Sequence, residues 1–75
     1  MGFQITVVNS LLSLLNSHNN NDIIKITLIS SIGDIKSAAE HPEVIKKLLS
    51  LCKDENKDIA IAAIRSLSKL LGDIT

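Results

Sequence analysis

Apolar residues recur along this chain at the spacing of amphipathic helices, and short polar breaks divide the pattern into four segments. The first segment predicts a helix from about Gln4 to Ser17. Its apolar stripe follows the i, i+3, i+4, i+7 spacing of a buried helix face and consists of Val8, Leu11, Leu12 and Leu15. The next four residues, His18 to Asn21, are rich in asparagine, which favours turns, so the first helix is expected to end there.

The second segment predicts a helix that begins at Asp22, a good N-cap residue, and extends to about Glu40. Its main apolar stripe consists of Ile24, Leu28, Ile32 and Ile35. Gly33 lies inside this pattern. Glycine costs about 1 kcal/mol in a helix interior, so we expect either a close helix approach at Gly33 or a weakened helix.

The second half of the chain predicts two further helices. Pro42 favours the first turn of a third helix, which is expected to run to about Lys53. The apolar face of this helix consists of Val44, Ile45, Leu48, Leu49 and Cys52. After a polar turn, Asp58 is predicted to cap a fourth helix, and Gly72 is a candidate for its C-terminal cap. The apolar residues of the fourth helix are Ile59, Ala62, Ala63, Leu67 and Leu70.

The two halves of the chain repeat each other. A shift of 36 residues places Val8 on Val44, and a shift of 35 places Ile29 on Ile64. The prediction is therefore an all-α protein of two antiparallel helical hairpins, stacked either as a minimal solenoid or as a compact four-helix bundle. We expect residues 1–75 to form a single domain, with repeats at about 4–40 and 41–75.

The segment 48–67 resembles a HEAT repeat of the short type found in bilin lyases. The matching residues are Asp54, Asn56, Ile59, Ala62, Ala63 and Leu67. In the first copy, Ile24-Lys25 stands for the family's Val-Arg pair and Ile32-Gly33 for its Leu-Gly pair. The second copy departs from the pattern, because Ala60 replaces the usual Arg and Ser68 the usual Gly. The resemblance implies a non-enzymatic scaffold for protein partners, with an accessory or chaperone role as one alternative.

Composition narrows the classes of partner. Eight basic and eight acidic residues give zero formal net charge, and aromatic residues make up 1% of the chain, so nucleic acid is not an expected partner. No apolar run reaches the roughly 18 residues of a membrane-spanning helix, and we expect neither a membrane partner nor a signal peptide. The single cysteine, Cys52, suits a reducing compartment, which predicts a cytoplasmic protein.

Four isoleucines lie away from the predicted core stripes. At about 100° per residue, Ile26 and Ile29 fall on the opposite side of the second helix from its main stripe. The repeat shift gives Ile61 and Ile64 the same positions on the fourth helix. One interpretation buries all four inside a compact bundle. The other makes them an apolar face that binds a partner helix or a second copy of the chain.

The turn between the third and fourth helices carries a candidate cation site. Asp54, Asn56 and Asp58 match the first three ligand positions of an EF-hand loop, whose oxygen ligands hold Ca²⁺. The glycine that the loop requires falls on Ile59, and the closing Glu falls on Arg65. Weak Ca²⁺ binding is therefore the alternative to a structural turn, and no other cofactor and no catalytic residue is predicted.

Overall fold

A computed structural model of the chain describes residues 2–18 and 20–72, with side chains from residue 6 onward. It contains four α-helices, α1 (Gly2–Ser17), α2 (Asp22–Gly33), α3 (Pro42–Leu51) and α4 (Lys57–Leu71), and a 3-10 helix at Lys36–Glu40. The described residues include no strand. Asn19 of the predicted break and residues 73–75 of the predicted second repeat lie outside the described residues.

The N-cap of helix α2 lies one residue before the position that the sequence predicts. The N-cap is Asn21, whose Oδ1 accepts a hydrogen bond of 3.0 Å from the backbone N–H of Ile24. The prediction of Asp22 as the cap is therefore wrong. Asp22 instead lies in the first turn, where its negative charge is favourable to the helix dipole.

Helix α2 also ends earlier than predicted. It stops at Gly33, and Ile35 takes an extended conformation before the 3-10 helix begins. Glycine is a poor helix former, which disfavours a continuous helix through Gly33 to Glu40. The proline at position 42 disfavours helical geometry at His41, which takes an extended conformation after the 3-10 helix. The 3-10 helix contacts all four α-helices and buries Ala38.

Helix α4 is capped by Asn56. The Oδ1 atom of Asn56 accepts hydrogen bonds from the backbone N–H groups of Asp58, at 2.9 Å, and Ile59, at 3.3 Å. The prediction of Asp58 as the cap is wrong by two residues. At the other end Gly72 occupies the predicted C-cap position, but with a φ of −61°, so its conformation is open to any residue.

The helices form two stacked hairpins. Helix α1 packs on α2 and α3 packs on α4, while α2 and α4 lie side by side in the most extensive interhelical contact. Within the described residues, helices α1 and α3 make little direct contact, so the helices stack as two hairpins and do not close into a four-helix bundle. The predicted stripes supply the core, in which Val8, Leu15, Ile32, Leu48 and Ile59 are almost completely buried. No described helix has the length and apolar character needed to cross a membrane.

Candidate protein-binding groove

The contact between α2 and α4 depends on two small residues. A Cβ atom added to Gly33 would lie 2.6 Å from the Oγ of Ser66, so the two helices approach as closely as glycine allows. The hydroxyl of Ser66 is buried and donates a 2.7 Å hydrogen bond to the backbone carbonyl of Ile29. The prediction of a close helix approach at Gly33 is confirmed, and the helix also ends there.

Polar side chains tie the two repeats together near the start of α2. Near the start of α2, the amide of Asn56 donates to Asp22 at 2.8 Å. On the same helix, Lys25 lies 3.7 Å from the carboxylate of Asp54, and both side chains are largely buried. Lys25 stands at the position of the family's arginine, so repeat one keeps a basic residue that pairs with an aspartate of repeat two.

The exposed side of the α2–α4 contact forms a groove with a volume of about 380 Å³. We call it the α2–α4 groove. Its sides are formed by Ile26, Ser30, Asp58, Ile61, Arg65 and Lys69, and the largely buried Ala62 and Ser66 form its floor.

The structure separates the four isoleucines that the sequence placed on one face. Ile26 and Ile61 both line the groove, and Ile61 is 48% exposed. Ile29 is completely buried, because α4 covers the side of α2 on which it lies, so its assignment to an exposed binding face is wrong. Ile64 is 50% exposed but does not line the groove.

Charged residues lie at intervals along the α4 side of the groove. Asp58, Ile61, Arg65 and Lys69 are three or four residues apart, so they follow one another along one face of the helix. Lys69 forms an ion pair of 2.9 Å with Asp34. Among the described residues, Arg65 has no ion pair, so its guanidinium is available to a partner. The sequence-based prediction of this face contains no charged residue, and the helical spacing of these charges with Ile61 is the sequence signal that places them there.

The predicted cation ligands have structural roles in the turn before α4. Asp54 accepts a 2.8 Å hydrogen bond from the backbone N–H of Asn56 with one oxygen and pairs with Lys25 through the other. The Asn56 oxygen is the cap of α4, and Asp58 lies in the first turn of the helix. In the described part of the chain, no three His, Cys, Asp or Glu side chains form a group suited to a metal ion. Calcium binding at this turn stays a prediction.

Comparison with known proteins places the chain in one family. Residues 7–74 match the family model described as HEAT repeats, which covers both hairpins. No curated protein and no solved structure shows significant similarity to the chain. The family match agrees with the resemblance carried by the turn residues and the paired alanines of repeat two.

Proposed function

Because this chain belongs to the HEAT-repeat family, we propose that it is a non-catalytic protein-interaction module that holds an amphipathic helix of a partner protein in the α2–α4 groove. HEAT repeats generally mediate protein–protein interactions and typically serve as scaffolds. The observation that carries the proposal is the pair of isoleucines, Ile26 on α2 and Ile61 on α4, that line the same groove between the two repeats.

The apolar part of the groove suits a helix. Ile26 lines the groove from α2 and Ile61 lines it from α4, and the small, buried Ala62 also lines it, which leaves room for an incoming side chain. An amphipathic helix binds such a groove with apolar residues spaced by three or four positions, and burial of apolar surface supplies most of the affinity. A single large aliphatic or aromatic residue of the partner, placed over Ala62, would contact both isoleucines.

The charges of the groove define the polar pattern expected of the partner. Asp58 lies towards the start of α4 and Arg65 about two turns later, so the groove is acidic at one end and basic at the other. Lys69 already forms an ion pair with Asp34, so Arg65 is the basic residue of the groove that we expect to bind a carboxylate of the partner. The partner helix is therefore expected to carry an acidic residue near Arg65 and a basic residue near Asp58, on either side of its apolar anchor.

Site-specific photo-crosslinking tests this proposal. A photoreactive amino acid is introduced at position 61 in the groove and, as a matched control, at position 23, where the isoleucine is 78% exposed outside the groove. We expect position 61 to capture a segment with the apolar and charged pattern described above. Equal capture from both positions, or no capture from position 61 in cells that express the protein, contradicts the proposal.

A peptide with the captured sequence then allows the charges to be tested. Its affinity should fall at least about tenfold with Ile61→Glu, since the substitution places a charge on an apolar contact, and should fall with Arg65→Glu. Replacing the acidic residue of the peptide by lysine should restore binding to Arg65→Glu. Ile23→Glu serves as the control and should leave the affinity unchanged.

A further inference from the structure

The residues that line the α2–α4 groove from α4 form a charge pattern that is complementary to its own reverse. Asp58 is acidic and Arg65 is basic, and Ile61 and Ala62 lie between them on the same side of the helix. Asp58 and Arg65 are seven positions apart, which corresponds to two helical turns or about 10 Å. Turning this face end to end exchanges the acidic and the basic position and keeps the apolar residues at the centre.

One antiparallel register satisfies the charges and the side-chain sizes together. Ile61 is three positions after Asp58, and Ala62 is three positions before Arg65. Two copies of α4 that lie antiparallel with Asp58 opposite Arg65 therefore also place each Ile61 opposite the Ala62 of the other copy. Ile61 is 48% exposed, whereas Ala62 is small and buried in the floor of the groove. A large side chain thus meets a small one at both central positions, as close helix packing requires.

The groove contains one uncompensated charge of each sign. Lys69 already forms an ion pair with Asp34, and the residues that α2 contributes to the groove are uncharged. Neither Asp58 nor Arg65 forms an ion pair among the described residues. A second copy supplies one charge of each sign at the positions where the groove needs them, so both charges of both copies are paired. A partner with the opposite charge order places like charges side by side, which is unfavourable.

No other described helix carries this pattern. Helix α1 has no charged residue in Gly2–Ser17. On α2, Lys25 is largely buried and pairs with Asp54. On α3, Glu43 and Lys47 are only about one turn apart, so no apolar anchor lies between them on the same face. Of the described helices, α4 is the one whose exposed face meets the requirements of the groove.

We propose that the helix held in the α2–α4 groove is α4 of a second copy of this chain, in an antiparallel dimer with two-fold symmetry. The inference rests on the proposed function and names the occupant of the same groove. Each copy places its α4 over the groove of the other, so the two grooves cover each other and the assembly closes as a dimer. A parallel pair would bring Asp58 beside Asp58 and Arg65 beside Arg65, and like charges oppose that arrangement.

Sedimentation velocity over a range of protein concentrations tests the dimer, with a reductant present so that Cys52 cannot form an intermolecular disulfide. We expect the wild-type protein to change from monomer to dimer, with no larger species. Asp58→Arg and Arg65→Asp should each raise the dissociation constant at least about tenfold, because each replaces the two attractive contacts of the dimer with repulsive ones. Ile64→Glu is the matched control, since Ile64 lies on the same helix, is 50% exposed and does not line the groove. It should leave the dissociation constant unchanged.

Combining the two charge reversals identifies the register. The double variant, Asp58→Arg with Arg65→Asp, again has one charge of each sign in a self-complementary order, so its dissociation constant should return close to the wild-type value. An equimolar mixture of the two single variants should form a heterodimer, because the two basic residues of one chain then face the two acidic residues of the other. Recovery in the mixture also shows that both single variants are folded. In the photo-crosslinking experiment, position 61 should become linked at or next to Ala62 of the second copy.

Three results would overturn the inference. The first is a wild-type protein that stays monomeric at about millimolar concentration. The second is a dimer that Ile64→Glu weakens as much as the charge reversals do, because the contact then lies on another surface. The third is a dimer that neither the double variant nor the mixture restores, because the register is then different.

The proposed function fails by a different result, which is the absence of any capture from position 61 in cells. Capture of another protein at position 61 by a chain that stays monomeric would keep the groove as a binding site. It would remove only the second copy as the occupant of the groove.

Discussion

The hydroxyl of Ser66 donates a hydrogen bond of 2.7 Å to the backbone carbonyl of Ile29, and this bond joins the two repeats inside the protein. Ser66 is 2% exposed and Ile29 is completely buried. A serine at this position serves two purposes. It is small enough for α2 and α4 to approach each other at Gly33, and its buried hydroxyl has a hydrogen-bond partner.

Gly33→Ala is expected to destabilise the protein by about 1–3 kcal/mol, because the added methyl group meets both the side chain and the backbone of Ser66. The gain in helix propensity, about 0.5–1 kcal/mol, is too small to offset this clash. Urea denaturation measures the difference. Gly72→Ala is the matched control, since a Cβ there meets no atom within 4 Å and the φ of −61° suits alanine. Equal effects at both positions would show that the close approach is not required.

Ser66→Ala should cost about 1 kcal/mol through loss of the buried hydrogen bond to Ile29. Ser31→Ala is the control at the equivalent position of repeat one, where the hydroxyl donates to the carbonyl of Thr27 within its own helix. We expect the control to change the free energy of unfolding by a few tenths of a kcal/mol at most. If the two substitutions have the same effect, the bond between the repeats makes no specific contribution to stability.

Asn56→Ala is expected to lower the free energy of unfolding by about 1–2 kcal/mol, because it removes the cap of α4 together with the bond to Asp22. Asp58→Ala, two residues later, should cost less, about 0.3–1 kcal/mol, since it removes only a favourable charge near the helix start. Thermal unfolding of the two variants under the same conditions compares them directly. The opposite order would restore Asp58 as the cap predicted from the sequence.

Calcium binding by Asp54, Asn56 and Asp58 can be tested by adding the metal alone. Asp54 and Asn56 already make hydrogen bonds in the turn, and Asp54 also forms an ion pair. We therefore expect the backbone amide signals of Asp54, Asn56 and Asp58 to show no saturable shift up to millimolar Ca²⁺. Magnesium at the same ionic strength controls for screening of surface charges. A saturable shift specific to calcium would show that the turn rearranges to bind the ion.

The sequence predicted the order of the four helices and most of their core residues, because helical periodicity and polar breaks are local signals. The errors lie at element ends. The N-caps of α2 and α4 are Asn21 and Asn56, whereas the sequence predicted Asp22 and Asp58. Asparagine and aspartate are both good caps, so only the backbone geometry distinguishes them. The sequence predicted α-helix for the segment after Gly33, but residues 36–40 form a 3-10 helix. The small residues in this segment are compatible with an α-helix and with a short 3-10 helix.

The sequence by itself determined that the chain consists of two similar hairpins, and it identified Gly33 as a special position in α2. Only the tertiary structure decided which isoleucines are buried. Ile29 and Ile64 are equivalent in the repeat, yet one is 0% and the other 50% exposed. The physical reason is that burial depends on a neighbour: α4 covers the side of α2 that carries Ile29, and no described helix covers the corresponding side of α4. Periodicity within one helix contains no information about that neighbour.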